Sequence, residues 1–292
     1  MKVGARVPNF GPLPIELGVA EMSARLEAAG FDSLWISDHV VMPDVVESPY
    51  PFAADGKANW ATNAPWYDAV ALLGMMTAAT KTTELGVAVL LLPLRHPVVF
   101  AKQAATIDAL SAGRLTLGVG AGWMSEEFDA LAVPFTTRGS RFDEWMDLAR
   151  SCWTGAPAAF DGSHYQLPPG VQCYPTPTHP IPFLIGGHSP AAFRRAGTRG
   201  DGWLAQQSAL SIDVSELRSG IGAMHAAADA IGRNSGDLRV VLRLVESAGA
   251  PELVAERFES LAAVGVTDVI IDVDWATDDG PERAADVLLQ ER

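Results

Sequence analysis

The residues best able to do chemistry in this chain fall where apolar runs end. One run closes in Asp38-His39. Another, "FLIGGHSPAAF" (183–193), leaves an apolar segment through Gly186 and Gly187 and enters a helix-like stretch through His188, Ser189 and Pro190. A histidine exchanges protons near neutral pH, so His39 is a candidate acid–base group; a structural lock on Asp38 is the competing reading. The second pattern also has two readings. Ser189 suits a helix N-cap and Pro190 the first helical position, which would be an ordinary capped turn. The same amides, at the positive end of a helix and reached past glycine, suit a bound phosphate.

Other candidates at such ends are Asn9, Arg95 and His96, Gly120 to Trp123, Gln206 and Gln207, Arg243 and Glu246, and Asp272 and Asp274. They exclude several classes. A Schiff-base aldolase needs a lysine there, and Lys2, Lys57, Lys81 and Lys102 all lie elsewhere. The histidines are scattered singly, so no metal site is expected. A retaining glycosidase needs two carboxylates about 5 Å apart; Asp38 and Asp272 could be offered, but they suit structural hydrogen bonds. No GxSxG elbow occurs. Glycines at two strand ends, one histidine and few charges suit a large planar cofactor that brings its own reactivity.

The elements that must position these residues alternate. Strands are expected over 2–8, 33–40, 84–93, 114–122, 181–187, 200–206, 239–245 and 268–275. Helices are expected over 15–30, 65–80 (starting at Pro65), 97–112, 138–153, 190–198, 211–233, 251–264 and 280–290. The run at 84–93 is continuously apolar, as in a strand buried on both faces. Eight strand–helix units predict one (β/α)8 barrel domain over 1–292. Two irregular segments, 41–64 and 155–180, exceed ordinary loop lengths and are expected to be functional insertions, the second lying before the fifth strand.

The chain has 292 residues, 48% of them hydrophobic, and a formal charge of −14. That balance argues against nucleic acid and anionic membranes as partners. No stretch of about 18 apolar residues predicts a membrane span. Cys152 and Cys173 form no CxxC, and "MKVGARVPNF" does not read as a signal peptide, so a cytoplasmic location is expected.

Four ordered stretches carry a resemblance: "AAGFDSLWISDH" (28–39), "LLPLRHPVVFAKQAATIDALSAGRLTLGVGAGW" (91–123), "FDGSHYQLPP" (160–169) and "PFLIGGHSPAAFRRAGTRGDGWL" (182–204). With them the chain resembles the bacterial luciferase-like flavin-dependent oxidoreductases, especially the branch using the deazaflavin coenzyme F420. The resemblance implies a (β/α)8 TIM barrel with a reduced flavin or deazaflavin in its mouth. It implies that His39, beside Asp38, lies near the reactive ring edge. It implies that Ala88, Val89 and Leu90 form a bulge with a non-proline cis peptide behind the ring. Ala121 and Gly122 would line the ring, and Gly186, Gly187, His188 and Ser189 would grip the phosphate.

The chain also departs from that branch. A glutamate that follows the fourth-strand glycine in its sugar-phosphate and alcohol dehydrogenases is Trp123 here, and a tryptophan shortly after the histidine is missing from Val40-Val41-Met42-Pro43. Trp123 could stack on a substrate or plug the core, and Trp60 and Trp66 could form a substrate lid or a dimer contact. Arg95 could pair with an anionic tail or with Asp108. Glu126 and Glu127 suit a first helical turn. The reaction implied is hydride transfer between F420 and a small organic substrate. The alternatives are a two-component FMN-dependent monooxygenase fed by a partner reductase, and a non-catalytic flavin-binding protein. A homodimer is expected from the resemblance.

Overall fold

The computed structural model describes residues 1–291 except Ala54 and Asn59. Those two positions of the 41–64 segment, and Arg292, lie outside the described residues. Strands β1 (Lys2–Arg6), β2 (Ser33–Ile36), β3 (Glu84–Leu91), β4 (Leu115–Gly120), β7 (Phe183–Gly186), β8 (Gly202–Ser208), β9 (Arg239–Val245) and β10 (Asp268–Ile271) close a parallel barrel in the order β1-β10-β9-β8-β7-β4-β3-β2. The short strands β5 (Phe160–Asp161) and β6 (Gln166–Leu167) form an antiparallel hairpin inside the 155–180 segment.

The barrel interior is a packed plug of Trp35, Leu184, Leu204, Val241 and Ile270, with Ala88 and Val89 against it. Trp35 fits because two glycines stand against its indole: Gly86, its register neighbour in β3, and Gly4 in β1. A Cβ at Gly86 would lie 2.3 Å from the indole, and one at Gly4 would lie 2.9 Å from its Nε1. The indole N–H is satisfied by Ser33 Oγ at 2.8 Å. A second, larger core lies between strands and helices, where Leu85, Leu117, Phe100 and Trp145 are fully buried. The strands are therefore apolar on both faces, as parallel strands covered by helices must be.

Helices α1 (Val19–Ala29), α3 (Pro97–Ser111), α5 (Arg138–Cys152), α6 (Pro190–Thr198), α7 (Val214–Asp229) and α10 (Gly280–Gln290) fall where periodicity puts them. Helix α2 (Ala69–Ala79) does not begin at Pro65. Residues 65–67 instead bridge to 9–11: Gly11 donates to the Pro65 carbonyl and Tyr67 to that of Asn9. Asp68 then caps the helix by accepting from the Ala71 amide at 2.9 Å. The expected helix 251–264 is two pieces, α8 (Pro251–Ala255) and α9 (Phe258–Ala263). One six-residue helix, α4 (Ser125–Ala130), was too short to show periodicity.

Candidate active site

The C-terminal ends of the strands surround a cavity of about 1730 Å³. A smaller groove of about 550 Å³ lies beside the entry to β8, where Arg150, Arg199 and Arg233 meet Asp147 and Asp201. Its acidic groups are already paired with arginines, and it is remote from the strand ends that carry chemistry in barrels.

The loop after β2 is held from three sides. Asn9, fully buried, donates to the Ser37 carbonyl at 2.7 Å and accepts from the Ser37 amide. Asp38 accepts two bonds from Arg95, at 2.6 and 2.8 Å, and one from the Leu91 amide. Burial pushes the Asp38 carboxyl up, against the pull of Arg95 and that amide. Glu127 comes from the first turn of α4, with its side chain 1% exposed. It accepts from the Val40 and Val41 amides at 2.6 and 3.3 Å and meets His39 Nδ1 at 3.0 Å.

A carboxylate only accepts hydrogen bonds, so His39 carries its proton on Nδ1. Nε2 makes no hydrogen bond to the described residues and belongs to a ring that lines the cavity. Trp66 lies edge-on to that ring at 4.8 Å, and Trp60 and Trp123 stand 6.0 and 6.4 Å away. The indole N–H groups of Trp60 and Trp66 are buried with no acceptor among the described residues. A buried donor left unpaired costs about 1–3 kcal/mol, which a ligand oxygen would recover.

On the neighbouring strand β3, the peptide Ala88–Val89 is cis and lies at a break in the β3–β4 register between Val87 and Leu90. Val89 is wedged between glycines: a Cβ on Gly120 or Gly186 would come within 2.7 Å of its methyl groups. These two glycines make room for Val89, and both also line the cavity. Gly122 has φ +86°, and a Cβ there would strike the Phe128 ring. At Gly187 a Cβ would meet only the Ala192 Cβ, at an ordinary 3.5 Å, so it is the φ of +109° that calls for glycine. The amides of Gly187, His188 and Ser189 donate to nothing among the described residues, and all three residues line the cavity.

Ser189 caps α6 by accepting from the Ala192 amide. His188 is anchored: its Nε2 accepts from the Gln206 amide at 3.1 Å, so Nδ1 donates to Glu216 at 2.7 Å. Beside this turn stand Arg195, paired with Asp143, and Arg138, which has no carboxylate partner among the described residues and lies 3.8 Å over the Phe135 ring.

Three expectations need correction. Asp38 does not offer its carboxylate to a cofactor; it is saturated by Arg95 and Leu91, which also removes Arg95 from Asp108 and from any tail. Asp108 is instead taken by Thr178. Leu90 faces the strand–helix core, fully buried, and not the cavity. Ala88, Val89, Ala121, Gly122, Trp60, Trp66 and Trp123 all line it.

Sequence reasoning put Glu127 in a first helical turn, as found, but missed its pairing with His39, and it did not single out Arg138, Arg6 or Tyr50. Arg6 had a signal: it shares the inward face of β1 with Gly4, two residues away. Glu127 lies four residues after Trp123, one helical turn beyond the strand end, but its pairing with His39 is long-range.

The sequence profile of the luciferase-like monooxygenases matches residues 18–264. An uncharacterized protein of Mycobacterium tuberculosis is 38% identical over 183 residues, 63% of each chain. An F420-dependent glucose-6-phosphate dehydrogenase of Amycolatopsis mediterranei is 33% identical over 213 residues, covering 70% of this chain and 57% of that one. The chain thus spans less than two thirds of these relatives' length. A solved structure of an F420-dependent secondary alcohol dehydrogenase, in complex with an F420–acetone adduct, superposes with TM-score 0.80 at 18% identity, covering 100% of this chain and 99% of that one.

Proposed function

The chain belongs to the luciferase-like monooxygenase family, and we propose that it is an oxidoreductase that uses coenzyme F420 to transfer hydride to or from a small organic substrate. The observation that carries this reading is the row of amides at Gly187 to Ser189 that are unpaired among the described residues, with Arg138, which has no carboxylate partner among them, lining the same cavity. Such donors fit a phosphate and an anionic tail. The Ala88–Val89 platform, flanked by Ala121 and Gly122, fits a planar ring. The relatives described as F420-dependent favour the deazaflavin over FMN.

When bound, the cofactor supplies or accepts a hydride at C5 of its ring. The protein's part is proton transfer and positioning. Glu127 keeps the His39 proton on Nδ1, leaving Nε2 to take a proton from a substrate hydroxyl in oxidation or, once protonated, to return one to a carbonyl oxygen. The N–H groups of Trp60 and Trp66 are donors available to that oxygen. Residues 47–48 are tied to the start of α4, with Ser48 bonding to Ser125 and Glu126 accepting from the Glu47 and Ser48 amides, which holds Tyr50 at the cavity rim.

An NMR titration of amide-labelled protein tests the phosphate assignment. Added F420 is expected to shift the Gly187, His188 and Ser189 amide signals above all others. Shifts confined to other strand ends would overturn it.

A further inference from the structure

One largely buried group of charges, with Arg6 and Asp272 22% and 20% exposed, has no task in the reading above. Arg6 closes β1, Arg243 lies in β9 and Asp272 follows β10, so three adjacent strands bring them to one wall of the cavity. The Arg243 side chain, 6% exposed, donates Nη2 to Asp272 at 2.5 Å and Nη1 to the Leu244 carbonyl at 2.6 Å. Arg6 reaches the same Asp272 oxygen only at 3.7 Å, and its Nε is buried with no acceptor among the described residues. One carboxylate therefore serves two guanidiniums. Burial pushes the Asp272 carboxyl up, but Arg243 and Arg6 outweigh it and hold it below the usual range. Even fully ionised, it leaves one positive charge over.

An excess buried cation with an orphaned donor is costly unless an anion comes to it. Neutral donors stand nearby. Tyr50, from the 41–64 segment, accepts from Gln206 Nε2 at 3.1 Å and keeps its own O–H free to donate. Both residues line the same cavity. In the barrel order, β9, β10 and β1 lie across from β7, β4 and β3, whose ends carry Gly187–Ser189, Ala121–Gly122 and Ala88–Val89. The cationic wall thus faces the side left for substrate.

We propose that Arg6 and Arg243, with Tyr50 and Gln206, form a subsite for a carboxylate of the substrate, which is therefore a small organic acid whose reacting carbon lies toward His39. A single excess charge matches a monoanion better than a phosphate dianion, and a planar guanidinium fork matches a carboxylate. This rests on the reading that the cofactor occupies the opposite wall.

The test is calorimetric titration of the full-length protein with benzoate and with benzamide, equal in shape and different in charge, both without cofactor and saturated with F420. Benzoate is expected to bind at least tenfold more tightly than benzamide in both states, with the preference falling below threefold in Arg6→Met. Equal affinity for the two probes in the wild type overturns the subsite without recourse to a variant. So does an unchanged preference in Arg6→Met. Loss of the preference on F420 saturation also overturns it, because the wall would then receive the cofactor's own negative charge. If F420 fails to bind while the benzoate preference persists, the cofactor reading falls and the subsite stands.

Discussion

Glu127→Gln changes one atom and keeps the shape, which makes it the sharpest probe of how His39 is held. The Val40 and Val41 amides can only donate, so the glutamine oxygen must stay on them. The glutamine NH2 then faces His39 Nδ1, where the carboxylate oxygen now sits at 3.0 Å. Two donors cannot share that contact, so the imidazole proton moves to Nε2. The nitrogen facing the cavity ceases to be an acceptor. Positioned acid–base catalysis contributes roughly 10²–10⁴-fold, so turnover is expected to fall by about that factor. Stability should fall by about 1–2 kcal/mol, the loss on exchanging hydrogen bonds to a charged group for neutral ones. Nitrogen NMR of the histidine side chains reads the tautomer without any substrate. The protonated nitrogen is expected to be Nδ1 in the wild type and Nε2 in the variant. An Nδ1-protonated ring in both would refute the argument, whatever the turnover.

Asp38→Ala is expected to cost about 3 kcal/mol in denaturant unfolding, because Arg95, 13% exposed, would lose its bidentate partner and keep only the 3.2 Å contact with the exposed Asp68. Arg138→Met should weaken F420 binding about 10–100-fold by fluorescence titration while leaving thermal stability nearly unchanged, since its guanidinium pairs with no carboxylate among the described residues. Burial pushes the Glu126 carboxyl up, but its own amide, the Ser48 hydroxyl and the amides of Ser48 and Glu47 outweigh this and hold it at about 2. A depressed carboxyl adds stability above its unfolded value of 4.5, so the advantage of wild type over Glu126→Gln should be full near neutral pH and vanish as pH falls from 4.5 toward 2. Solvent screening at this partly exposed site limits the difference to about 1 kcal/mol, measured by thermal unfolding at several pH values.

The barrel was legible because its strands are apolar on both faces and its helices carry ordinary stops. The Gly30 and Gly113 positions have positive φ just past α1 and α3, as their sequence signals require. Pro65 misled because a proline suits a first helical turn equally well as a bridge, and only the Asp68 cap decides between them. At the site, His39 and the Gly187–Ser189 turn could be read because each lies next to a strand end. Glu127 could not: its contact with His39 spans 88 residues, and a glutamate in a first helical turn has a sufficient local explanation already. Gly186 could be read as a strand-end glycine, but not the Val89 side chain from another strand that sets its nearest constraint. The Arg6–Arg243–Asp272 wall joins both ends of the chain, so no local pattern announces it.

The central claim is that this cavity holds a deazaflavin. Parallel fluorescence titrations of the cofactor-free protein with F420 and with FMN test it most directly. The account predicts saturable F420 binding at least tenfold tighter than that of FMN. Tighter binding of FMN would contradict it and favour oxygenation with a reductase partner, and binding of neither would remove the cofactor reading altogether.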